Sequence, residues 1–396
     1  MKTLRQHLPM TNMKMSEIEK LIEKHEKLRS NGINLIVSEN YLSAEVRKAL
    51  TSDLAGRYHT NWYGGSKIAR QIIKKTEDLA KKLFKVKYAI VTPVSGNICD
   101  LAALFAFTAP GDKVAMLPFT VGGYPLGIHK FNRRRIDIPV NKKTFEIDVK
   151  RTKKLVEEES IKLFILGASI LLFPHPVKEI SLIVKNAGFP SHCLYDGSHV
   201  MGLIACGGFQ NPLREGAEVL FGSMHKTFYG PQGGIALTNS KKYYELLKKY
   251  LVLDLNEGIG LIDNPHMNHI AALGIAMEEM LEDKGYGKRV IANAKALAQA
   301  LDESGVPVRF KKRGYTNSHQ ILLDLKPKRA EKLCHTLEKA GIFIDIGGRI
   351  GTAEVTHRGM GIEDMKKIAE SIAEVYHNQK YGKIKQETKK LSRKVK

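Results

Sequence analysis

Apolar runs of strand length alternate with amphipathic stretches of helical length from residue 31 to about residue 240. Strands that alternate with helices in this way predict an α/β fold, with a mostly parallel sheet and helices on both of its faces. The strand candidates are residues 88–91, 113–117, 162–166, 192–195, 218–221 and 234–237. Because ligands bind beyond the carboxyl ends of the strands in such a sheet, the residues that follow each strand are the first place to look for a site.

The chain divides into four predicted parts. Residues 1–30 form an N-terminal helical segment, because Ser16 and Glu19 make a capping box and apolar residues follow at helical spacing. Residues 31–280 form the large domain that carries the sheet, and residues 281–378 form a smaller α+β domain. In the smaller domain, strand candidates at residues 320–325 and 342–345 flank a helix near 329–340. A long helix at 265–300 joins the two domains. Residues 379–396 form a basic tail.

The formal net charge of +22 favours encounters with anionic partners, but much of it lies in this tail. Between Lys380 and Lys396 there are eight Lys or Arg residues and one acid, Glu387. This composition predicts a solvated, disordered segment. Nucleic-acid binding is not favoured, because no interleaved aromatic residues or known binding motif accompany these charges, although the tail leaves that function open.

Composition also restricts location and chemistry. The longest apolar stretch, residues 163–173, is interrupted and falls short of the roughly 20 residues that span a bilayer, and the first fifteen residues lack a secretory signal. We therefore expect a cytoplasmic protein that makes no membrane contact. The four cysteines lie far apart without a CxxC spacing, which argues against a metal site and against a disulfide framework.

Ionisable residues follow two of the strand candidates. Asp196 ends one of them, and Lys226 follows the next, shortly before a glycine-rich turn. A partly buried lysine has the lowered pKa that Schiff-base formation requires, and an aspartate nearby can keep a pyridine nitrogen protonated. The turn Ser95-Gly96-Asn97, between a strand and a helix, offers backbone N–H groups to a phosphate. Each residue alone also fits a plain role as a cap or a solvated charge, but together they describe one site.

Several motifs occur in the order in which serine hydroxymethyltransferases have them. They are Ser38-Glu39-Asn40-Tyr41, Trp62-Tyr63-Gly64-Gly65, Ser95-Gly96, the run from Tyr195 to Gly202, His225-Lys226-Thr227 and the run from Gly348 to Thr352. On these motifs, most of residues 30 to 375 resembles that family of fold-type I pyridoxal-phosphate enzymes. The resemblance implies a large domain that binds pyridoxal 5'-phosphate, a smaller C-terminal domain and an amino acid as substrate. It also implies a homodimer with shared active sites, in which Tyr58 and Tyr63 enter the partner's site.

The resemblance also assigns roles to single residues. It implies that Lys226 forms the Schiff base, that Asp196 pairs with the ring nitrogen, and that Arg349 binds the amino-acid carboxylate, for which a guanidinium is suited. Ser38 and Tyr63 would help to bind the substrate. Residues that it places near the 3-hydroxyl of the cofactor are His199 and Ser169, and those that it places elsewhere around the cofactor are Ser95, Gly96, Asn97, Val121, Ser223, His225 and Tyr58.

Several features depart from the family pattern, and three of them bear directly on the chemistry. The glutamate that follows the tyrosine matched by Tyr58 is absent; His59 is the candidate substitute, since an imidazole suits general-base work near neutral pH, and a packed ring is the alternative role for this residue. Val121 stands where the family has a histidine that stacks on the cofactor. The loop before Arg349, which helps to hold folate in the family, is nearly absent, and this argues against tetrahydrofolate as a cosubstrate without excluding it.

The leading hypothesis is reversible Cα–Cβ cleavage of serine, or of a related β-hydroxy amino acid, to glycine. A folate-independent aldolase or transaldolase of the threonine type is the first alternative. An aminotransferase is the second, because it uses the same lysine and aspartate. A degenerate family member that only binds a ligand or partner would explain the lost glutamate, but not why Lys226, Asp196 and Arg349 are all retained.

Overall fold

The computed structural model describes residues 15–379 and 381–393. Residues 1–14 of the predicted N-terminal segment, and residues 380 and 394–396 of the predicted tail, lie outside this description. The strands are β1 (Ile33–Asn34), β2 (Tyr88–Ile90), β3 (Lys113–Met116), β4 (Arg134–Asp137), β5 (Ile161–Leu166), β6 (His192–Asp196), β7 (Val219–Ser223), β8 (Gly234–Thr238), β9 (Gln320–Leu322), β10 (Ile342–Phe343) and β11 (Arg349–Gly351). The α-helices are α1 (Glu17–Ser30), α2 (Ala44–Leu50), α3 (Lys67–Phe84), α4 (Gly96–Phe107), α5 (Val149–Glu158), α6 (Val177–Lys185), α7 (Met201–Ala205), α8 (Lys241–Leu251), α9 (Met267–Glu282), α10 (Tyr286–Glu303), α11 (Pro327–Lys339), α12 (Ala353–His357), α13 (Ile362–Asn378) and α14 (Gly382–Ser392).

A seven-stranded sheet organises the large domain, in the order β2-β8-β7-β6-β5-β3-β4. Strands β3 to β7 pair in parallel, and β8 is antiparallel to both of its neighbours. Each run predicted in this domain is a strand to within a residue or two, and the predicted α/β class is confirmed. The sequence pattern missed β4, because this edge strand reads Arg-Arg-Ile-Asp and has no fully buried residue.

Alternating side chains of the central strands fill two cores. Phe164 and Leu166 of β5 belong to one apolar cluster, and Leu163 and Ile165 belong to another. Successive residues of a strand point to opposite faces of its sheet, so the two clusters lie on the two faces. Burial on both faces explains why these strands read as continuous apolar runs rather than as alternating ones.

The small domain has a core of its own, to which the start of the chain contributes. Strand β1 pairs in parallel with β10, and Ile33 and Leu35 lie in the apolar cluster of the small domain. The structure therefore assigns these residues differently from the predicted boundary at residue 31. The predicted single helix at 265–300 is two helices, α9 and α10, and α10 joins the domains because Val290 packs in the large core and Leu297 in the small one.

The predicted disordered tail is helical where the structure describes it. Helix α14 buries Ile384, Thr388 and Leu391 and contacts β1 and α13. The prediction of a disordered segment was therefore wrong for residues 382–392. These three buried residues occur at i, i+4 and i+7, which is the spacing of one helix face, and the dense positive charge around them hid that face.

Helix α1 begins at the predicted capping box. The side chain of Ser16 accepts a hydrogen bond from the Glu19 backbone, and Glu19 Oε2 accepts one from the Ser16 backbone N–H at 2.7 Å. No residue of α1 is buried, and its apolar residues Ile18, Leu21 and Leu28 are 65%, 57% and 52% exposed. Among the described residues, no helix combines the length and apolar character needed to cross a membrane.

Candidate active site

The ends of β6 and β7 meet the beginning of α4. Asp196, the last residue of β6, accepts a hydrogen bond from Ser198 N at 2.9 Å. Ser198 Oγ in turn accepts one from Ser223 N, at the end of β7, at 2.9 Å. Gly96, the first residue of α4, packs so closely on Ser223 that a Cβ at this position would lie 2.8 Å from the Ser223 nitrogen. The predicted phosphate turn and the predicted cofactor residues are therefore in one place.

Lys226 lies in this cluster as a desolvated amine. Burial lowers the pKa of its ammonium group, and the nearby Arg349 acts in the same direction, whereas Asp196 and Asp100 act against it. Asn40 fixes the backbone of the lysine, because its Nδ2 donates to Lys226 O at 2.7 Å. A lysine with a lowered pKa is the nucleophile that Schiff-base chemistry needs.

The beginning of α4 has the features of an anion site. Ser95 caps the helix and accepts a hydrogen bond from Ile98 N at 3.2 Å, while the exposed Asn97 accepts one from the Tyr124 hydroxyl at 3.2 Å. His225 is beside Lys226, and its buried Nδ1 has no hydrogen-bond partner in the structure. Burial lowers the pKa of His225 to about 4, so this ring stays neutral near pH 7. These residues fit the phosphate of pyridoxal 5'-phosphate, which a helix N-terminus and a free polar nitrogen would bind.

His199, predicted to lie near the cofactor's 3-hydroxyl, is buried and lies against the small domain. Its Nδ1 is 3.0 Å from Gln320 Nε2, and its ring stacks on that of His319 with centroids 6.0 Å apart. Burial lowers the pKa of His199 well below its usual value, and Lys226 lowers it further. The sequence analysis did not identify Gln320, because a glutamine at the start of a short strand carries no motif.

Arg349, at the start of β11, is held on two sides. Its Nη1 donates to Ser169 O at 2.7 Å, and its Nε donates to Asp345 Oδ2 at 2.7 Å. The other oxygen of Asp345 accepts from Gly347 N at 2.9 Å and from Arg349 N at 3.1 Å. The loop that is shortened relative to the family is thus a tight turn organised by Asp345, a role that the sequence analysis missed.

The segment predicted to enter a partner's site lies at the surface of this chain. Tyr58 and Tyr63 stack with ring centroids 4.6 Å apart and are 48% and 47% exposed. His59 is instead buried, its carbonyl accepts from Arg70 Nη1 at 3.2 Å, and burial followed by the charge of Arg70 lowers its pKa. Its Nδ1 has no partner in the structure. These contacts support a packed ring at least as well as a general base.

The remaining predicted residues, Val121 and Ser38, are chain neighbours of residues that contact Ser169 and His319. Val121 is buried, and the carbonyl of the following Gly122 accepts from Ser169 N at 2.7 Å. Ser38 is half-buried and follows Val37, whose carbonyl is 3.0 Å from His319 Nε2.

A further buried acid, Asp100, was missed by the sequence analysis. Burial and the nearby Asp196 raise its pKa well above the usual value. Within the described part of the chain, no three acidic, histidine or cysteine side chains are grouped in a way that could hold a metal ion.

A lysine of lowered pKa, an aspartate on the neighbouring strand and the capped N-terminus of α4, all at the carboxyl edge of this sheet, are the features of a fold-type I pyridoxal-phosphate enzyme. A sequence model of the family described as serine hydroxymethyltransferase matches residues 11–372. The chain belongs to the serine hydroxymethyltransferase family.

Relatives and a solved structure agree with this assignment. Serine hydroxymethyltransferase of Korarchaeum cryptofilum is 40% identical over 89% of this chain and 88% of its own length. That of Archaeoglobus fulgidus is 38% identical over 96% of this chain and 91% of its own length. The crystal structure of L-threonine transaldolase from Pseudomonas fluorescens, in its internal aldimine state, superposes with a TM-score of 0.86 at 27% identity, covering 95% of this chain and 90% of that one.

Proposed function

We propose that this enzyme catalyses the reversible Cα–Cβ cleavage of serine, or of a closely related β-hydroxy amino acid, to glycine. The observation that carries the proposal is that Lys226, Asp196 and Arg349 lie close together at one edge of the sheet. The charges of Asp196 and Arg349 both act on the pKa of the lysine amine. When bound, pyridoxal 5'-phosphate supplies an electron sink for the charge that develops at Cα. The family membership supports the same reaction class.

Each of these residues would have its own role in binding the cofactor or the substrate. Lys226 would hold the cofactor covalently, and Asp196 would pair with its ring nitrogen. Gly96 and its neighbours at the beginning of α4 would bind the phosphate. Arg349 would bind the substrate carboxylate through the part of its guanidinium that Asp345 and Ser169 leave free, so that the Cα–Cβ bond is oriented for cleavage.

The tight turn at Asp345 supports a second candidate, aldol chemistry that does not use folate. The turn occupies the position of the loop that helps to hold folate in the family, and no carboxylate follows Tyr58. The superposition on an L-threonine transaldolase supports the same candidate. The two reactions differ in what accepts the one-carbon or aldehyde fragment.

One experiment separates these candidates. Serine and threonine cleavage would be measured with the cofactor-loaded protein, with and without tetrahydrofolate. A strong dependence on tetrahydrofolate for serine establishes a hydroxymethyltransferase, whereas aldehyde release that is indifferent to it establishes an aldolase. The variant Lys226→Ala is the control, since it should lose both the cofactor absorbance and the activity, and full activity in this variant would contradict the proposed site.

We also propose that the enzyme is a homodimer in the cytoplasm, with Tyr58 and Tyr63 completing the site of the partner. The exposure of both rings and of the apolar face of α1 supports this assembly. Mixing inactive Lys226→Ala and Tyr63→Ala subunits should recover up to about a quarter of wild-type activity, because about half of all dimers would then be heterodimers and each heterodimer would carry one intact site out of two. No recovery after verified subunit exchange would contradict the shared site.

A further inference from the structure

The side-chain amide of Gln320 lies at the junction of the two domains. It is 1% exposed at the start of β9, and its two polar atoms are both in use. Gln320 Oε1 accepts a hydrogen bond from Leu171 N at 3.0 Å, and Gln320 Nε2 donates one to Ser169 O at 3.1 Å. The same nitrogen is 3.0 Å from Nδ1 of His199.

These contacts determine which way the amide points. A backbone N–H can only donate and a backbone carbonyl can only accept, so the oxygen must face Leu171 and the nitrogen must face Ser169. The second proton of Nε2 then points at His199 Nδ1. That ring nitrogen must accept, and therefore carries no proton.

A neutral imidazole with an unprotonated Nδ1 carries its proton on Nε2. Protonation of both nitrogens of His199 would place two donors face to face at the Gln320 contact. The surroundings oppose the charged ring as well, since burial lowers the pKa of His199 and the charges of Lys226, His319, Arg349 and His225 lower it further.

His319 reinforces this arrangement from the stacked side. Its Nε2 lies 3.0 Å from Val37 O, which can only accept, so His319 also carries its proton on Nε2. Burial lowers the pKa of His319 to about 3. The two stacked rings are thus both neutral, and neither supplies a proton to the Nδ1 of the other.

We propose that Gln320 is a positioning residue that fixes His199 as the Nε2–H tautomer. In this state His199 presents a hydrogen-bond donor to the site, where the proposed function places the 3-oxygen of the cofactor. The opposite tautomer would present a lone pair to that oxygen and repel it. This inference deepens the proposed function, but the tautomer itself does not depend on it.

The test is nitrogen NMR of the full chain with 15N-labelled histidine rings, before and after cofactor addition, with His199 assigned from the spectrum of His199→Asn. The wild-type chain should show His199 as the neutral Nε2–H tautomer from about pH 8 to about pH 5. An Nδ1–H tautomer or a charged ring in that pH range would overturn the proposal. Because this measurement uses the wild-type chain, it does not depend on whether a Gln320 variant folds.

The variant Gln320→Glu keeps the acceptor for Leu171 N but places a carboxylate oxygen against both Nδ1 of His199 and the Ser169 carbonyl. The proton should move to Nδ1, or the ring should become charged, and cofactor affinity should fall about 10-fold as one hydrogen bond to the oxygen is lost. Gln386→Glu on the exposed side of α14 is the matched control and should change neither reading. An unchanged tautomer in Gln320→Glu would refute the positioning role.

The two proposals can fail separately. If the chain shows the expected His199 tautomer but binds no cofactor, the proposed function is wrong and the role of Gln320 is still supported. If the chain binds cofactor and cleaves serine with the opposite tautomer, the role of Gln320 is wrong and the proposed function is still supported.

Discussion

Substitution of Gly96 by alanine tests whether the beginning of α4 is the phosphate site. An added Cβ would lie 2.8 Å from Ser223 N and closer still to its Oγ, and 3.1 Å from Ser198 Oγ. The serine hydroxyl can rotate away, but the backbone nitrogen cannot. To restore an ordinary contact of 3.4 Å, the start of α4 must move by 3.4 − 2.8 = 0.6 Å from β7.

A shift of this size matters because the helix N–H groups would bind the phosphate directly. It lengthens a hydrogen bond of about 2.9 Å to about 3.5 Å, which no longer counts as one. The loss of one or two such bonds to a charged group should weaken cofactor affinity about 10- to 100-fold. The strained packing should also destabilise the fold by about 1–3 kcal/mol, less the roughly 0.5–1 kcal/mol gained from replacing glycine in a helix.

The assay is equilibrium cofactor binding followed by absorbance, together with denaturant unfolding of the apoprotein. Gly382→Ala is the matched control, because Gly382 is the first residue of α14 and an added Cβ there meets nothing within 4 Å. The control should keep wild-type affinity. If Gly96→Ala binds the cofactor as tightly as the control does, the phosphate does not lie at the beginning of α4.

Three further predictions follow from the same structure. Arg349→Lys keeps the charge but loses the planar guanidinium that binds a carboxylate through two hydrogen bonds. Apparent serine affinity in a spectral titration should therefore fall about 10- to 100-fold, while cofactor affinity is unchanged. The control variant Arg47→Lys should change neither affinity. His175 and His225 have folded pKa values of about 4, below the unfolded value of 6.5, so the unfolded chain binds more protons. Their contribution to stability should therefore fall as pH drops from about 7.5 to about 5.5, by about 1 kcal/mol each, and His175→Gln should flatten the measured dependence by that amount. Truncation before α14 should destabilise the small domain by about 2–4 kcal/mol in denaturant unfolding, because it removes Leu391 and its neighbours from the apolar core of that domain. An unchanged unfolding midpoint would contradict that packing.

The sheet was predictable because its strands are buried on both faces. Runs such as that of β7, with every residue buried, can only be strands or buried helices, and their length decides between the two. The edge strand β4 lacks that signal, since three of its four residues are charged and none is fully buried. Helix α14 was missed because its buried residues, such as Ile384 and Leu391, are interspersed with eight Lys or Arg residues between 380 and 396.

For the site, strand-end position identified Lys226 and Asp196 from the sequence, since the topology of a parallel sheet brings such residues together. Gln320 and Asp345 were not identified from the sequence. The role of Gln320 depends on a contact between the two domains, and that of Asp345 depends on a tight turn that no sequence motif marks. The contacts of His59 in the single chain do not favour the general base predicted there, although its role stays a prediction.

The carbonyl of Ser169 accepts hydrogen bonds from both Gln320 and Arg349, which lie on neighbouring strands of the small domain. A single peptide group of the large domain therefore ties down both partners, and the small domain cannot swing away without breaking both bonds at once. The consequence concerns cooperativity of unfolding. Although each domain has apolar packing of its own, the two domains should unfold in one transition, and amides of β9 and of the loop around Ser169 should exchange with solvent at closely matched rates.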